Sequence, residues 1–139
     1  MTESLTDEDT VLSANLEFYR AFNDRDAWAM DALWAKDAPV NCVHPGWTAL
    51  AGRTAVIQSW RNILANPDAP HVMVHDDRAT VYGEVAIVQC EEELDFGHLV
   101  ATNMFIREAG AWKLIHHQAS QIVVRGQDER RRRPPPTRH

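Results

Sequence analysis

Cysteine is scarce in this chain: Cys42 and Cys90 are the only two in 139 residues, and both sit in apolar surroundings. Two such residues exclude a disulfide framework. Missing too are a signal-peptide core and any apolar run of membrane length, so the expectation is a cytoplasmic protein with no membrane partner. There is no internal repeat. No compact metal motif such as HExxH occurs, and no cofactor is implied. Positive charge is confined to one end. Residues 125–139 hold six arginines against Asp128 and Glu129, a balance of +4; with a net charge of −6, residues 1–124 therefore sum to −10. An acidic body argues against nucleic acid as a partner of the folded part. The run Arg130 to Arg133 followed by Pro134 to Pro136 predicts a disordered, solvated tail over 125–139, after a single domain over 1–124.

What is present suits one globular domain. Hydrophobic content of 45% and charged content of 24% are ordinary. Thr6 with Asp9 resembles a capping box, and Val11, Leu12, Leu16, Tyr19 and Phe22 follow at helical spacing. Asn23-Asp24-Arg25-Asp26 breaks that helix and can cap a shorter one that ends at Pro39. Val40 to Val43 reads as a short strand, and a third helix begins after Gly52 with Val56, Trp60, Ile63 and Leu64 on one face. From His71 the pattern changes. Val72 to Val81, Glu84 to Leu94, Leu99 to Ile106 and Trp112 to Val124 are rich in β-branched and aromatic residues, separated by turns at Tyr82-Gly83, Phe96-Gly97 and Ala109-Gly110. Three helices followed by an antiparallel meander predict an α+β domain whose helices cover one sheet face.

The last strand carries the most information. With a two-residue period, WKLIHHQAS places Trp112, Leu114, His116, Gln118 and Ser120 on one face. That face starts apolar and ends polar, which points to a cavity, because buried polar groups need partners or a ligand. Counting back through the predicted turns adds Met73, His75, Cys90, Glu92 and Asn103 to the same face. A one-residue slip in any hairpin would turn that strand over. The opposite face receives Glu91, Glu93, Met104, Ile106, Lys113, Ile115 and His117, a mixture suited to a second subunit and hence to a homodimer. Trp47 and Trp60 are expected to close the pocket from the helix side.

Four segments carry a family resemblance. CVHPGW (Cys42 to Trp47), Gly52-Arg53 entering the helix with Ser59-Trp60, ATNMF (Ala101 to Phe105) and WKLIHHQAS resemble the SnoaL-like proteins of the NTF2-like superfamily. That superfamily also includes ketosteroid isomerases, polyketide cyclases, scytalone dehydratase and the kinase association domain. The resemblance covers roughly residues 7 to 124. It implies a cone of strongly curved, mainly antiparallel sheet wrapped on three helices, a pocket at the open end, and a dimer across the sheet. Many relatives end in His-x-His-x-Ser; here the positions hold His116, Gln118 and Ser120, and glutamine is neither acid nor base. No aspartate beside Asn103 pairs with Tyr19 in the ketosteroid isomerase manner, and the Asp-Arg-Asp set of limonene epoxide hydrolases is not evident.

The chemistry expected is proton transfer on a small, largely apolar molecule: isomerisation, cyclisation or dehydration. A carboxylate on an apolar sheet face has a raised pKa, which fits Glu92 for acid–base work, with His116 or His44 as proton partner. Asn103 and Gln118 are placed to bond a carbonyl oxygen, and Trp47, Trp60, Met73 and His75 to line the substrate. The alternative is a noncatalytic ligand-binding or dimerisation module. A third reading is a divalent metal on His44, His75, His116 and Glu92, which depends entirely on their convergence in space.

Overall fold

Thr6 starts the first helix as expected. Its hydroxyl accepts the Asp9 backbone N–H at 3.1 Å while the Asp9 carboxylate accepts the Thr6 N–H at 3.3 Å, so two orphan donors are satisfied at once. The computed structural model describes residues 5–123; the predicted tail over 125–139 lies outside the described residues. Helix α1 (Asp7–Asn23) packs beside α2 (Ala27–Leu33), which Asp26 caps by accepting the Ala29 N–H at 3.0 Å. The buried stripe of α1 is turned from the expected one. Leu16 is exposed, whereas Asn15 and Phe18 are buried together with Val11 and Tyr19.

After α2 come β1 (Asn41–Val43), β2 (Leu50–Ala51) and α3 (Arg53–Ala65), then a meander of β3 (Met73–Tyr82), β4 (Val85–Leu94), β5 (Gly97–Glu108) and β6 (Ala111–Gln121). The strands form one sheet in the order β2-β1-β6-β5-β4-β3, antiparallel except where β1 runs parallel to β6. This is the α+β architecture the sequence predicts, with one unpredicted two-residue strand, β2. Two arginines lock the connections. Arg53 donates to the Trp34 and Ala35 carbonyls at 2.9 and 3.1 Å and pairs with Asp31, and Arg25 donates to the Leu64, Pro67 and Ala69 carbonyls at 3.3, 3.1 and 2.9 Å.

Strand register decides which side chains face the helices. The β5–β6 pairing begins as counted, with Arg107 opposite Trp112 and Phe105 opposite Leu114. Then Met104 pairs with His116, leaving Ile115 as an extra residue on β6. This bulge reverses the alternation. His117 and Ala119 are buried on the helix side, and His116, Gln118 and Ser120 turn away. A second bulge lies in β3, where Asp76 and Asp77 stand between His75, opposite Glu91, and Arg78, opposite Gln89. Asp76 takes the left-handed conformation there, φ 57°. Met73 and His75 are thereby turned to the outer face, opposite Glu93 and Glu91. The β4–β5 turn is shifted too, since Leu94 pairs with Gly97 rather than Leu99. That shift moves each partner by two residues and leaves faces unchanged, so Cys90, Glu92 and Asn103 remain inside as predicted.

Candidate functional site

A cavity of about 210 Å³ opens between the inner sheet face and the helices. Phe18, Tyr19 and Phe22 of α1 form one wall, Trp60 and Ile63 of α3 another, and Glu92, Leu94, Leu99 and His117 the sheet wall. His44, Pro45 and Trp47 from the β1–β2 connection, Pro70 and Val72 from the segment before β3, and Phe96 from the β4–β5 turn complete the lining. Trp47 is 50% exposed and Phe96 70%, so these two rings form the rim. Inside, the rings of Phe18 and Trp60 meet edge to face at 5.4 Å, and His44 contacts Trp60 at 4.7 Å in the same manner. The Trp60 indole N–H is buried on this wall without a hydrogen-bond partner.

Glu92, Tyr19, Asn103, Asn15 and His117 form one hydrogen-bonded network, and His44 with Ser59 a separate one. Tyr19 donates its hydroxyl proton to Glu92 Oε2 at 2.5 Å. Asn103 donates to Tyr19 Oη at 3.2 Å and to Asn15 Oδ1 at 2.8 Å. His117 Nδ1 lies 2.5 Å from Asn103 Oδ1. A carbonyl oxygen only accepts, so this contact places the His117 proton on Nδ1 and leaves Nε2 as an acceptor. His44 has the opposite tautomer. Ser59 donates its proton to the Val56 carbonyl at 2.7 Å, so its oxygen accepts from His44 Nε2 at 2.9 Å, and His44 Nδ1 keeps the lone pair.

Burial sets the charges. Desolvation raises the pKa of Glu92, against the opposing pull of the Tyr19 hydrogen bond. Desolvation pushes Tyr19 well above its ordinary value, with the adjacent Glu92 adding to it. It lowers His44 to about 4 and His117 to about 3, the latter helped by the charges of His44 and His116. Both imidazoles are therefore neutral at physiological pH. The site holds one buried carboxyl and two neutral imidazoles, each with one nitrogen left as an acceptor, within largely aromatic walls.

The residues expected from sequence divide by strand face. Glu92, His44, Trp47 and Trp60 line the cavity. Asn103 lies behind the wall and orients Tyr19 and His117. His116, Met73, His75 and Gln118 are not inside, because the two bulges turn them outward. His116 contacts Asn41, and His75 Nε2 meets Glu93 at 2.6 Å on the outer face. Gln118 instead borders a second groove beyond the rim, with Ser120 and Gln121. The four proposed metal ligands do not converge, and no group of three or more His, Cys, Asp or Glu side chains suited to an ion occurs among the described residues. His117 and Tyr19 were the residues missed as site members. Tandem histidines were the available signal for the first, since either register parity puts one of them inside.

Comparison with known proteins follows the same outline. Residues 11–124 match the model of the SnoaL-like domain. The chain belongs to this family. Similar solved structures include a candidate dehydratase of the NTF2-like family from Streptomyces avermitilis, 35% identical with a TM-score of 0.80, covering 85% of this chain and 97% of that one. Another is a candidate calcium/calmodulin-dependent protein kinase type II association domain from Thiobacillus denitrificans, 30% identical with a TM-score of 0.75, covering 82% and 96%. The F-box protein SKIP8 of Arabidopsis thaliana is 30% identical over 116 residues, which is 82% of this chain. The chain spans about half the length of that curated relative. Three helices on a mostly antiparallel six-stranded sheet are thus the NTF2-like α+β cone that the resemblance implied.

Proposed function

We propose that this SnoaL-like domain is an acid–base enzyme of the isomerase, cyclase or dehydratase type, acting on a small, largely apolar molecule. One observation carries the reading: the Glu92 carboxyl is buried in an apolar cavity, held at 2.5 Å by Tyr19, with its pKa raised by desolvation. A carboxyl in that state can take a proton from substrate and return it elsewhere at neutral pH. Tyr19, kept protonated by its own raised pKa, steadies the carboxylate when the proton has left. His117 Nε2 and His44 Nδ1 orient a donor group of the substrate. His117 takes over the position for which sequence nominated His116. The apolar walls exclude water while the proton is in transit.

The test is mass spectrometry of a small-molecule extract incubated with enzyme in D₂O. Wild type is expected to change the mass or deuterium content of a component, and Glu92→Gln to lower that rate at least about 100-fold, in the range of a lost general acid–base group. Equal rates in both proteins would remove Glu92 from the chemistry. A second reading has support of its own. The likeness to an association domain at 30% identity favours a role in assembly, with the cavity serving ligand binding alone. Under either reading the protein forms a homodimer through the outer sheet face, where Val85, Ile87, Met104, Ile106 and Ile115 are only partly covered and Val100 is exposed.

A further inference from the structure

The charge pattern of the cavity is one-sided. Among the described residues that line it, none is a lysine or arginine, and the one carboxyl is Glu92. Six aromatic rings line the cavity with that carboxyl: Phe18, Tyr19, Phe22, Trp60 and, at the rim, Trp47 and Phe96. A carboxylate in a pocket walled by aromatic rings is a receptor for a cation, which its charge and the ring quadrupoles both attract. We infer that the cavity takes a lipophilic monocation, an amine or quaternary ammonium on a small apolar frame.

Three observations converge on this ligand class. An anion would meet Glu92 with no cationic side chain on the wall to receive it. Glu92 has no lysine or arginine beside it on the cavity wall, and burial favours its protonated form; a bound cation would supply the counter-charge. The two histidines on the wall, held neutral by desolvation, add no repulsion at physiological pH. Beyond the cavity, residues 1–124 carry a net charge of −10, a field that concentrates cations near the mouth. The inference rests on the reading of this cavity as the substrate site and narrows it. A cationic substrate keeps Glu92 ionised and fixes its first role as base.

Two isosteric probes separate the charge from the shape. Benzyltrimethylammonium and neopentylbenzene differ by nitrogen for carbon at one centre, and each can be titrated against the fluorescence of the tryptophans in the cavity. The cation is expected to bind wild type at least about tenfold more tightly, in the range of a desolvated cation–π and carboxylate contact. Glu92→Gln should reduce that preference to about threefold or less while leaving neopentylbenzene affinity within about threefold of wild type, which also reports that the cavity is still formed. Neopentylbenzene binding as tightly as the cation, or an undiminished preference in Glu92→Gln, would overturn the inference and leave the cavity as a neutral-ligand site. If neither probe binds, the reading of the cavity as a ligand site falls with it.

Discussion

Asn103 carries three contacts on one amide: it donates to Asn15 and Tyr19 and accepts from His117. That arrangement fixes the tautomer of a fully buried imidazole, and the imidazole in turn makes the fold sensitive to acid. His44 and His117 titrate near 6.5 in the unfolded chain but only at about 4 and about 3 when folded. The unfolded state therefore binds more protons below pH 6.5, and stability falls as pH falls through that window, by about 1.4 kcal/mol per pH unit for each histidine. Glu92 has the opposite sign, because its raised pKa lets the folded state keep a proton that the unfolded chain releases above 4.5. His117→Phe removes one acid-labile group but leaves Asn103 Oδ1 without its donor. At pH 7.5 it should cost about 1–3 kcal/mol in urea unfolding. At pH 5.5 the gap to wild type should narrow by about 1.4 kcal/mol. An unchanged gap would mean that His117 is charged in the folded state.

Elements obeyed local rules more faithfully than registers did. The Thr6–Asp9 capping box is the plainest case, and Thr6→Ala should lower stability by about 1 kcal/mol in a denaturant titration. No loss would show that the helix end frays in solution. The helices, the meander and the inward position of Glu92 were legible because periodicity and turn residues report faces directly. Shifting a two-residue turn by one position moves partners by two and preserves the face, so the displaced β4–β5 turn did no harm to Cys90, Glu92 or Asn103. A bulge is different. Ile115 and the Asp76–Asp77 pair each add one residue to one strand, and no residue type announces that addition. His116, Gln118, Met73 and His75 were misplaced for that single reason. Tyr19 was visible on the helix stripe, but its partnership with Glu92 joins residues 73 positions apart in the chain, beyond any local pattern.

At the scale of the molecule, one face of the sheet is filled by the helices and the other bears an apolar patch set among Glu91, Glu93, Lys113, His75, His98 and His116. Val100, 44% exposed and opposite Glu91, lies within that patch. Sedimentation equilibrium should give a mass about twice the 15.8 kDa of the chain, and Val100→Glu should shift it toward the monomer by setting like charges side by side. A monomeric wild type would remove the face as an interface. Among the described residues, the margins of the sheet offer little other means of association. One margin is β2, only two residues long. The other is β3, ten residues long but interrupted by the bulge at Asp76 and Asp77. A strand from another molecule would lose its hydrogen-bond ladder there and meet two carboxylates. The kink that reoriented His75 thus also guards the sheet against growing edge to edge into a fibre.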